Sequence, residues 1–218
     1  MGTRAIAEAA QQVSQRQCDA VLICAVDSYY DWEVLERLIG ADQLLTADNL
    51  DGRRPGEAAV AVLLSDAQHP WSGQYGCLLR GVGLAEEPIP LGSEHPSRAE
   101  GITSALEAAM GGGPQLAAGS VTQFLSDTTH EAYRIRELQL VLARFGSVLD
   151  QRFELLLPAR ELGEVGAASL LLYAALVAEA NRRGFGWGPL SLAFAGGEEA
   201  LRGAVLMQNL DLSARRML

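Results

Sequence analysis

The sequence is most informative at Cys18-Asp19-Ala20-Val21-Leu22-Ile23-Cys24-Ala25-Val26-Asp27-Ser28. Between its two aspartates every residue is apolar. A short apolar run without alternation is typical of a strand that is buried on both faces at the centre of a sheet. We therefore predict a central strand over 20–26, with Cys18 and Cys24 as buried thiols that behave as small hydrophobic side chains.

Amphipathic helices are predicted on both sides of this strand. Apolar residues recur at helical spacing in 5–13 before it and again from Trp32 to Ile39 after it. Asp31 stands where an N-cap is expected, and the second helix is predicted to run to Leu45. A polar loop over 46–57 then leads to two further apolar strands, predicted over Ala58–Leu64 and Tyr75–Leu84.

A proline-rich segment over 85–98 is the best candidate for a boundary, because proline cannot occupy the interior of a helix or a central strand. We therefore predict two regions, 1–90 and 91–218. The second region alternates helices and strands, which indicates a layered α/β protein. Its predicted elements are a helix over Arg98–Met110, a strand over Leu116–Leu125, a helix over Glu131–Phe145, a strand over Phe153–Leu157, a helix over Val165–Arg183, and strands over Leu190–Ala195 and Gly203–Gln208.

Composition excludes several classes of function. The net charge of −10 over 218 residues disfavours binding to nucleic acid or to an anionic membrane surface, since neither polyanion would be attracted. No apolar run approaches the roughly 20 residues that span a bilayer, and the N-terminus has no signal-like segment, so a cytoplasmic location is expected. The three cysteines have no metal-type spacing, and neither a metal nor a cofactor is predicted.

Three stretches, in this order, resemble the thiolase superfamily and in particular its β-ketoacyl synthase branch. They are Cys18–Ser28, Arg54–Leu64 with its Pro-Gly-Glu-Ala-Ala entry into a strand, and Gly163–Ser169 with Gly-Glu-Val-Gly-Ala-Ala-Ser. The closing Phe194-Ala195-Gly196-Gly197 is similar to the family's final glycine-rich turn. The resemblance implies an α/β fold with thiolase-like helix–sheet–helix layers, in which the C-terminal half is complete and the N-terminal half is truncated.

The resemblance also implies that the catalytic residues are missing. Family enzymes carry a cysteine nucleophile at the start of the helix before the first stretch, and that position falls at or just before Met1. The two histidine positions read Ser126-Asp127-Thr128-Thr129 and Glu164. A carboxylate there would repel a developing oxyanion, so we expect no catalytic residue and no condensing activity from the chain alone. The residues of the vestigial site, which could also hold a ligand, are Ser126, Asp127, Glu164, Gly166, Gly196 and Gly197. The charged residues Asp127, Glu164, Glu198, Glu199 and Arg134 are each expected to be solvated loop or cap residues, with Arg134 as a candidate ion-pair partner.

A narrower resemblance links Ser126–Glu137 and Leu162–Ser169 to divergent thiolase-like proteins that are encoded beside bacterial type VI secretion effectors and their adaptors. It implies a protein partner, which could be an effector, an adaptor or a companion thiolase-like half. The strands of a truncated first half would expose an unpaired edge and an apolar face. We expect a partner chain, a second copy of this chain or a rearranged sheet to cover them.

Three hypotheses follow from the sequence. In the first, the chain is a non-catalytic thiolase-like subunit that acts in protein binding or assembly. In the second, it is the C-terminal half of a split β-ketoacyl synthase-like enzyme, completed by a partner that carries the nucleophilic cysteine. In the third, it is an α/β protein that binds a small acyl or nucleotide ligand at Gly163–Ser169, where the start of a helix offers N–H groups to an anion.

Overall fold

A computed structural model describes residues 2–69, 76–111, 116–185, 188–197 and 200–210. The elements alternate between helix and strand along most of the chain, as the sequence predicts. They are α1 (Gly2–Ser14), β1 (Ala20–Ser28), α2 (Trp32–Gly40), β2 (Glu57–Ser65), β3 (Cys77–Glu86), α3 (Glu100–Gly111), β4 (Val121–Ser126), α4 (Ala132–Phe145), β5 (Leu149–Leu156), α5 (Pro158–Leu162), α6 (Ser169–Arg182, preceded by a 3-10 turn over Gly166–Ala168), β6 (Leu190–Gly196) and β7 (Leu201–Asn209).

The strands form two separate sheets. A five-stranded sheet has the order β3-β7-β6-β4-β5. In it β4 is parallel to its neighbours β6 and β5, and β7 is antiparallel to its neighbours β3 and β6. β1 and β2 pair only with each other, antiparallel, from Ala20 opposite Ser65 to Ser28 opposite Glu57. We call this two-stranded sheet the ribbon.

Helices cover both faces of the large sheet. On one face α3 and α4 bury Ile102, Leu106 and Val141 against Phe124 of β4. The opposite face carries α1 and α6, whose Ile6 and Leu171 pack against the next residue of β4, Leu125. The same cluster includes Ile23 of β1. The layers are therefore α3 and α4, the large sheet, α1 and α6, and the ribbon.

The central strand predicted over 20–26 is present as β1, but it is buried on one face only. Leu22 is 64% exposed and Val26 is 77% exposed. Cys24 is also exposed and Cys18 is only partly buried, so the prediction of two buried thiols is wrong. The apolar sequence of β1 is that of an interior strand, whereas in the described part of the chain its outer face is open to solvent.

β3 lies before the segment predicted as a boundary, yet it pairs along its length with β7. The division into 1–90 and 91–218 stays a prediction, and the sheet topology favours a division between β2 and β3. The short helix α5 was not predicted. No helix among the described residues is long and apolar enough to cross a membrane.

Candidate functional site

Asp127 follows the last residue of β4 directly and lies in the buried loop that leads to α4. Its Oδ2 accepts a hydrogen bond from Arg134 Nη1 at 3.0 Å and another from the backbone N–H of Gly196 at 2.7 Å. The side chain of Ser126 turns away to Thr128, whose hydroxyl oxygen lies 2.7 Å from that of Ser126. Asp127 is only 6% exposed, and Glu164 and Arg134 are buried as well, so the expectation that these three residues are solvated is wrong.

Arg134, in the first turn of α4, connects the residues that the resemblance singled out. Its guanidinium contacts Asp127, Glu164 Oε1 at 3.4 Å and Glu131 Oε2 at 3.6 Å. Nη1 also donates to the carbonyl of Gly196 at 2.5 Å. One buried arginine therefore links the loop after β4, the loop before α6 and the end of β6.

Arg53, in the loop before β2, is a second buried arginine. Its Nε lies 3.0 Å from Glu131 Oε1 and 3.9 Å from Glu164 Oε2. The loop that carries Glu164 is fixed by its backbone N–H, which donates to the carbonyl of Arg54 at 2.7 Å. Tyr29 adds a hydroxyl bond to Glu164 Oε1 at 3.4 Å. We call Arg53, Asp127, Glu131, Arg134 and Glu164 the carboxylate–arginine cluster.

Three carboxylates and two arginines give this cluster a formal charge of −1 within the protein interior. Burial raises the pKa of Glu164, and Glu131 and Asp127 raise it further, against the lowering effect of Arg134 and Arg53. Burial likewise raises the pKa of Asp127, although Arg134 and the Gly196 N–H oppose it. Burial alone would lower the pKa of Arg134, but the carboxylates of Asp127, Glu164 and Glu131 together hold it above its ordinary value. The arginines stay charged, and protonation of one carboxyl would neutralise the cluster.

The start of the helix after Gly163 was expected to offer free N–H groups to an anion. The structure places Asp27, from the end of β1, at this point: its Oδ2 accepts from the N–H of Ala167 at 2.8 Å. Gly166 has φ of +46°, and a Cβ there would lie 2.3 Å from the same oxygen. The hypothesis of a small ligand at Gly163–Ser169 stays a prediction, and Asp27 holds the position that an anionic ligand would take.

A cavity of about 420 Å³ lies beside the cluster. Its walls include Gly166, Gly196 and Gly197 of the predicted site together with Gly2, Asp27 and Tyr29. Gly197 is tied to the neighbouring buried Arg202, whose Nη1 lies 3.5 Å from its carbonyl oxygen. The structure thus brings all six predicted residues into one region, whereas Glu198 and Glu199 lie outside the described residues.

Sequence reasoning missed Arg53, Glu131 and Asp27. Arg53 stands in the polar loop Thr46–Glu57, where an arginine is expected to be solvated, and only the fold reveals that it is buried. The described part of the chain has no group of three or more His, Cys, Asp and Glu side chains arranged to hold a metal ion.

Neither a protein-family model nor a curated protein matches the sequence. Solved structures do match the fold. A ketosynthase from module 6 of the bacillaene synthase of Bacillus subtilis superposes with a TM-score of 0.76 at 14% identity, over 95% of this chain and 46% of that chain. The ketosynthase ApeO in complex with its chain length factor ApeC, from Xenorhabdus doucetiae, gives 0.79 at 13% identity, over 95% and 57%. A β-ketoacyl synthase from Burkholderia phymatum gives 0.73 at 13% identity, over 95% and 59%.

The chain spans about half the length of the solved chains that it matches. Its five-stranded mixed sheet between layers of helices corresponds to the sheet and helices of those proteins. The chain therefore has the fold of about half of a ketosynthase, with the layered α/β architecture of thiolase-like proteins.

Proposed function

We propose that this chain is a non-catalytic ketosynthase-like subunit that acts by binding a protein partner. The observation that carries the proposal is that carboxylates of the chain itself occupy the backbone donors of the site. Asp127 accepts from Gly196, and Asp27 accepts from Ala167. Stabilisation of an oxyanion requires such donors to be directed at the substrate oxygen, and donors that already bind a carboxylate cannot serve it.

The charge at the site also argues that the chain does not catalyse a condensation. A thioester condensation develops negative charge on oxygen, and basic or neutral donors near that oxygen lower the barrier. The histidine positions implied by the resemblance read Ser126-Asp127-Thr128-Thr129 and Glu164 instead. Asp127 and Glu164 are both buried and paired with Arg134. This arrangement holds the loop after β4, the loop before α6 and the end of β6 together, and its two arginines are paired with carboxylates of the chain itself.

Support for a protein partner comes from the solved structures of similar fold. One contains a ketosynthase with its chain length factor, and another contains an acyl-carrier protein with its ketosynthase. Because this chain spans about half of such proteins, we infer that its partner is a companion of the same kind. The resemblance of Ser126–Glu137 and Leu162–Ser169 to proteins encoded beside type VI secretion effectors offers an effector or its adaptor as the alternative partner.

The test is a turnover assay on the purified chain with acyl thioesters of coenzyme A and of acyl-carrier protein. The β-ketoacyl synthase of Burkholderia phymatum serves as the positive control. Thiol release by this chain should not exceed the rate without protein. Release above background that disappears in a Cys24→Ser or Cys18→Ser variant would overturn the proposal.

A second candidate is the split enzyme, in which a partner chain supplies the cysteine. The cavity of about 420 Å³ favours it, because the cavity reaches from Gly166 and Gly196 to Gly2 at the start of α1. Co-expression with a ketosynthase-like chain that carries the cysteine should then produce thioester turnover that neither chain shows alone. An inactive but stable complex would favour the non-catalytic subunit.

A further inference from the structure

The outer face of the ribbon is apolar along its whole width. Opposite positions on the two strands are Leu22 with Leu63, Cys24 with Ala61, and Val26 with Ala59, all exposed. Their neighbours in sequence point inward, towards α1 and α6, and belong to the core. We call these six residues the ribbon face. Contiguous exposed apolar side chains of this kind mark interaction surfaces in stable proteins.

Both edges of the ribbon also have the sequence of interior strands. β1 has no charged residue from 20 to 26, and β2 has none from 58 to 65. Among the described residues neither strand pairs with a third. Edge strands are normally protected from further pairing by charges, and β5 at the edge of the large sheet has Asp150, Arg152 and Glu154 in this role. The ribbon lacks such protection, so its free edges are suited to accept additional strands.

The segment of the chain that contains the ribbon is acidic. The segment 19–66, which contains both strands of the ribbon, has ten Asp and Glu residues and three Arg, or −7 of the chain's net −10. Exposed carboxylates flank the strand ends at Asp19, Glu57 and Asp66. A second copy of this chain would bring the same charges to the interface, and like charges disfavour such pairing.

We propose that the ribbon face and its two free edges form the docking surface for a different protein, one that adds β-strands to the ribbon and surrounds them with Arg and Lys. This inference rests on the proposed function and specifies the partner. The added strands complete the main-chain hydrogen bonds of β1 and β2, apolar side chains cover the ribbon face, and the basic rim pairs with the acidic segment.

Two labelled peptides test the docking surface. Each has alternating valine and threonine at its centre, flanked by two arginines at each end in one peptide and by two glutamates in the other. We expect the arginine peptide to bind at least about tenfold more tightly at low salt, and its advantage to shrink as salt rises. Amide hydrogen exchange in β1 and β2 should slow when it binds. Equal binding of both peptides, or binding of neither, would overturn the proposal.

Matched variants show where the arginine peptide binds and separate the apolar from the electrostatic contribution to its affinity. Val26→Gln and Leu63→Gln should weaken the arginine peptide by about tenfold each, whereas Leu155→Gln on the charged edge strand β5 should change binding by less than about twofold. Neutralising Asp19, Glu57 and Asp66 together should remove the preference between the two peptides. If Leu155→Gln weakens binding as much as Leu63→Gln, the ribbon is not the docking surface.

Self-association is measured by light scattering on the purified chain. A monomer at micromolar concentration agrees with the proposal. A dimer that Leu63→Gln dissociates would assign the ribbon face to a second copy and overturn it. Thioester turnover would contradict the non-catalytic function without affecting peptide binding, so failure of one proposal can be told from failure of the other.

Discussion

The guanidinium of Arg134 is 3% exposed and lies between Asp127, Glu131 and Glu164. Removing it would leave these carboxylates buried with Arg53 as their only remaining cation in the cluster. Breaking a buried ion pair from one side costs roughly 3–5 kcal/mol, because the remaining charge is uncompensated. We expect Arg134→Met to lower the free energy of unfolding by about that amount, measured by urea denaturation.

The control is Arg183→Met, which removes the exposed pair between Arg183 and Glu179. Exposed ion pairs contribute about 0–1 kcal/mol, so this variant should unfold close to the wild-type urea midpoint. If Arg134→Met were no more destabilising than Arg183→Met, the carboxylate–arginine cluster would not be what holds these loops together.

Glu164 gives the chain a specific pH dependence. Because its pKa in the folded state is raised by burial, it contributes stability that is fully present below its unfolded pKa of about 4.3 and is lost as pH rises through the folded value. Glu164→Gln cannot ionise and does not lose this contribution. The variant should therefore gain stability relative to wild type as pH increases above about 4.3.

The measurement is the difference in free energy of unfolding, variant minus wild type, at several pH values from 4 to 8. The pairing of Glu164 with Arg134 and Arg53 works in the opposite direction from burial. A difference that becomes more negative with rising pH would mean that the arginines dominate and that the pKa is lowered.

The difference in exposure between Cys24 and Cys77 tests whether the ribbon face is open to solvent. Cys24 lies exposed on the ribbon face, whereas burial raises the pKa of Cys77 to about 11. Because the thiolate is the reacting species, a maleimide at pH 8 should label Cys24 well before Cys77. Mass spectrometry of the digested protein identifies the labelled site, and Cys24→Ser should remove the fast phase. Cys77 is partly buried, and labelling of Cys77 as fast as that of Cys24 would contradict the prediction.

Part of the site could be predicted from individual residues of the sequence. Asp127, Glu164 and Gly196 were identified from the resemblance, and the structure connects all three through Arg134. What the sequence could not indicate is that these carboxylates are buried, since Asp and Glu in loops are usually solvated. Nothing in the sequence around Arg53 indicates that it is buried, because its burial depends on residues more than 70 positions away, such as Glu131.

At the scale of elements, α3 packs closely on β3 through two glycines. A Cβ at Gly83 would overlap the backbone of Ala105, at 2.8 Å from its carbonyl carbon and closer still to its carbonyl oxygen, and a Cβ at Gly81 would overlap Ala109 in the same way. Gly83→Ala should therefore force the helix and strand apart and destabilise the protein by about 1–3 kcal/mol. Thermal and urea unfolding measure the loss.

Gly40→Ala is the matched control, because nothing lies within 4 Å of a Cβ at that position in the last turn of α2. Its effect should stay within about 0.5 kcal/mol of wild type. If Gly83→Ala were equally mild, α3 could move away from β3 without loss, and the close contact would not be essential to the fold.

Most elements were predictable because their apolar patterns are strong. β2 extends only one residue beyond each end of its predicted range, and Asp31 caps α2 by accepting from the N–H of Glu33 at 2.9 Å. β5 was predicted to start at Phe153 but begins at Leu149, because the polar Asp150-Gln151-Arg152 of an edge strand looks like a loop. The five-residue helix α5 is too short to produce a periodic pattern.

At the scale of the whole molecule, the two sheets differ in how they are covered. The large sheet has helices on both faces, with β4 and β6 at its interior. The ribbon has α1 and α6 on its inner side and, in the described part of the chain, no layer on its outer side. A two-stranded sheet is marginal by itself, so the stability of the ribbon depends on its inner contacts alone.

This asymmetry predicts unequal protection from amide hydrogen exchange. Backbone hydrogen bonds open through local fluctuations whose free energy falls when few buried contacts hold the segment. Amides of β1 and β2 should therefore exchange at least about tenfold faster than those of β6, equivalent to about 1.4 kcal/mol in opening free energy. Exchange measured by mass spectrometry on the isolated chain checks this, with β5 as an internal comparison because it is an edge strand of the well-covered sheet. Protection of the ribbon equal to that of β6 would mean that its outer face is already covered in the isolated chain, and the docking surface would then have to be sought elsewhere.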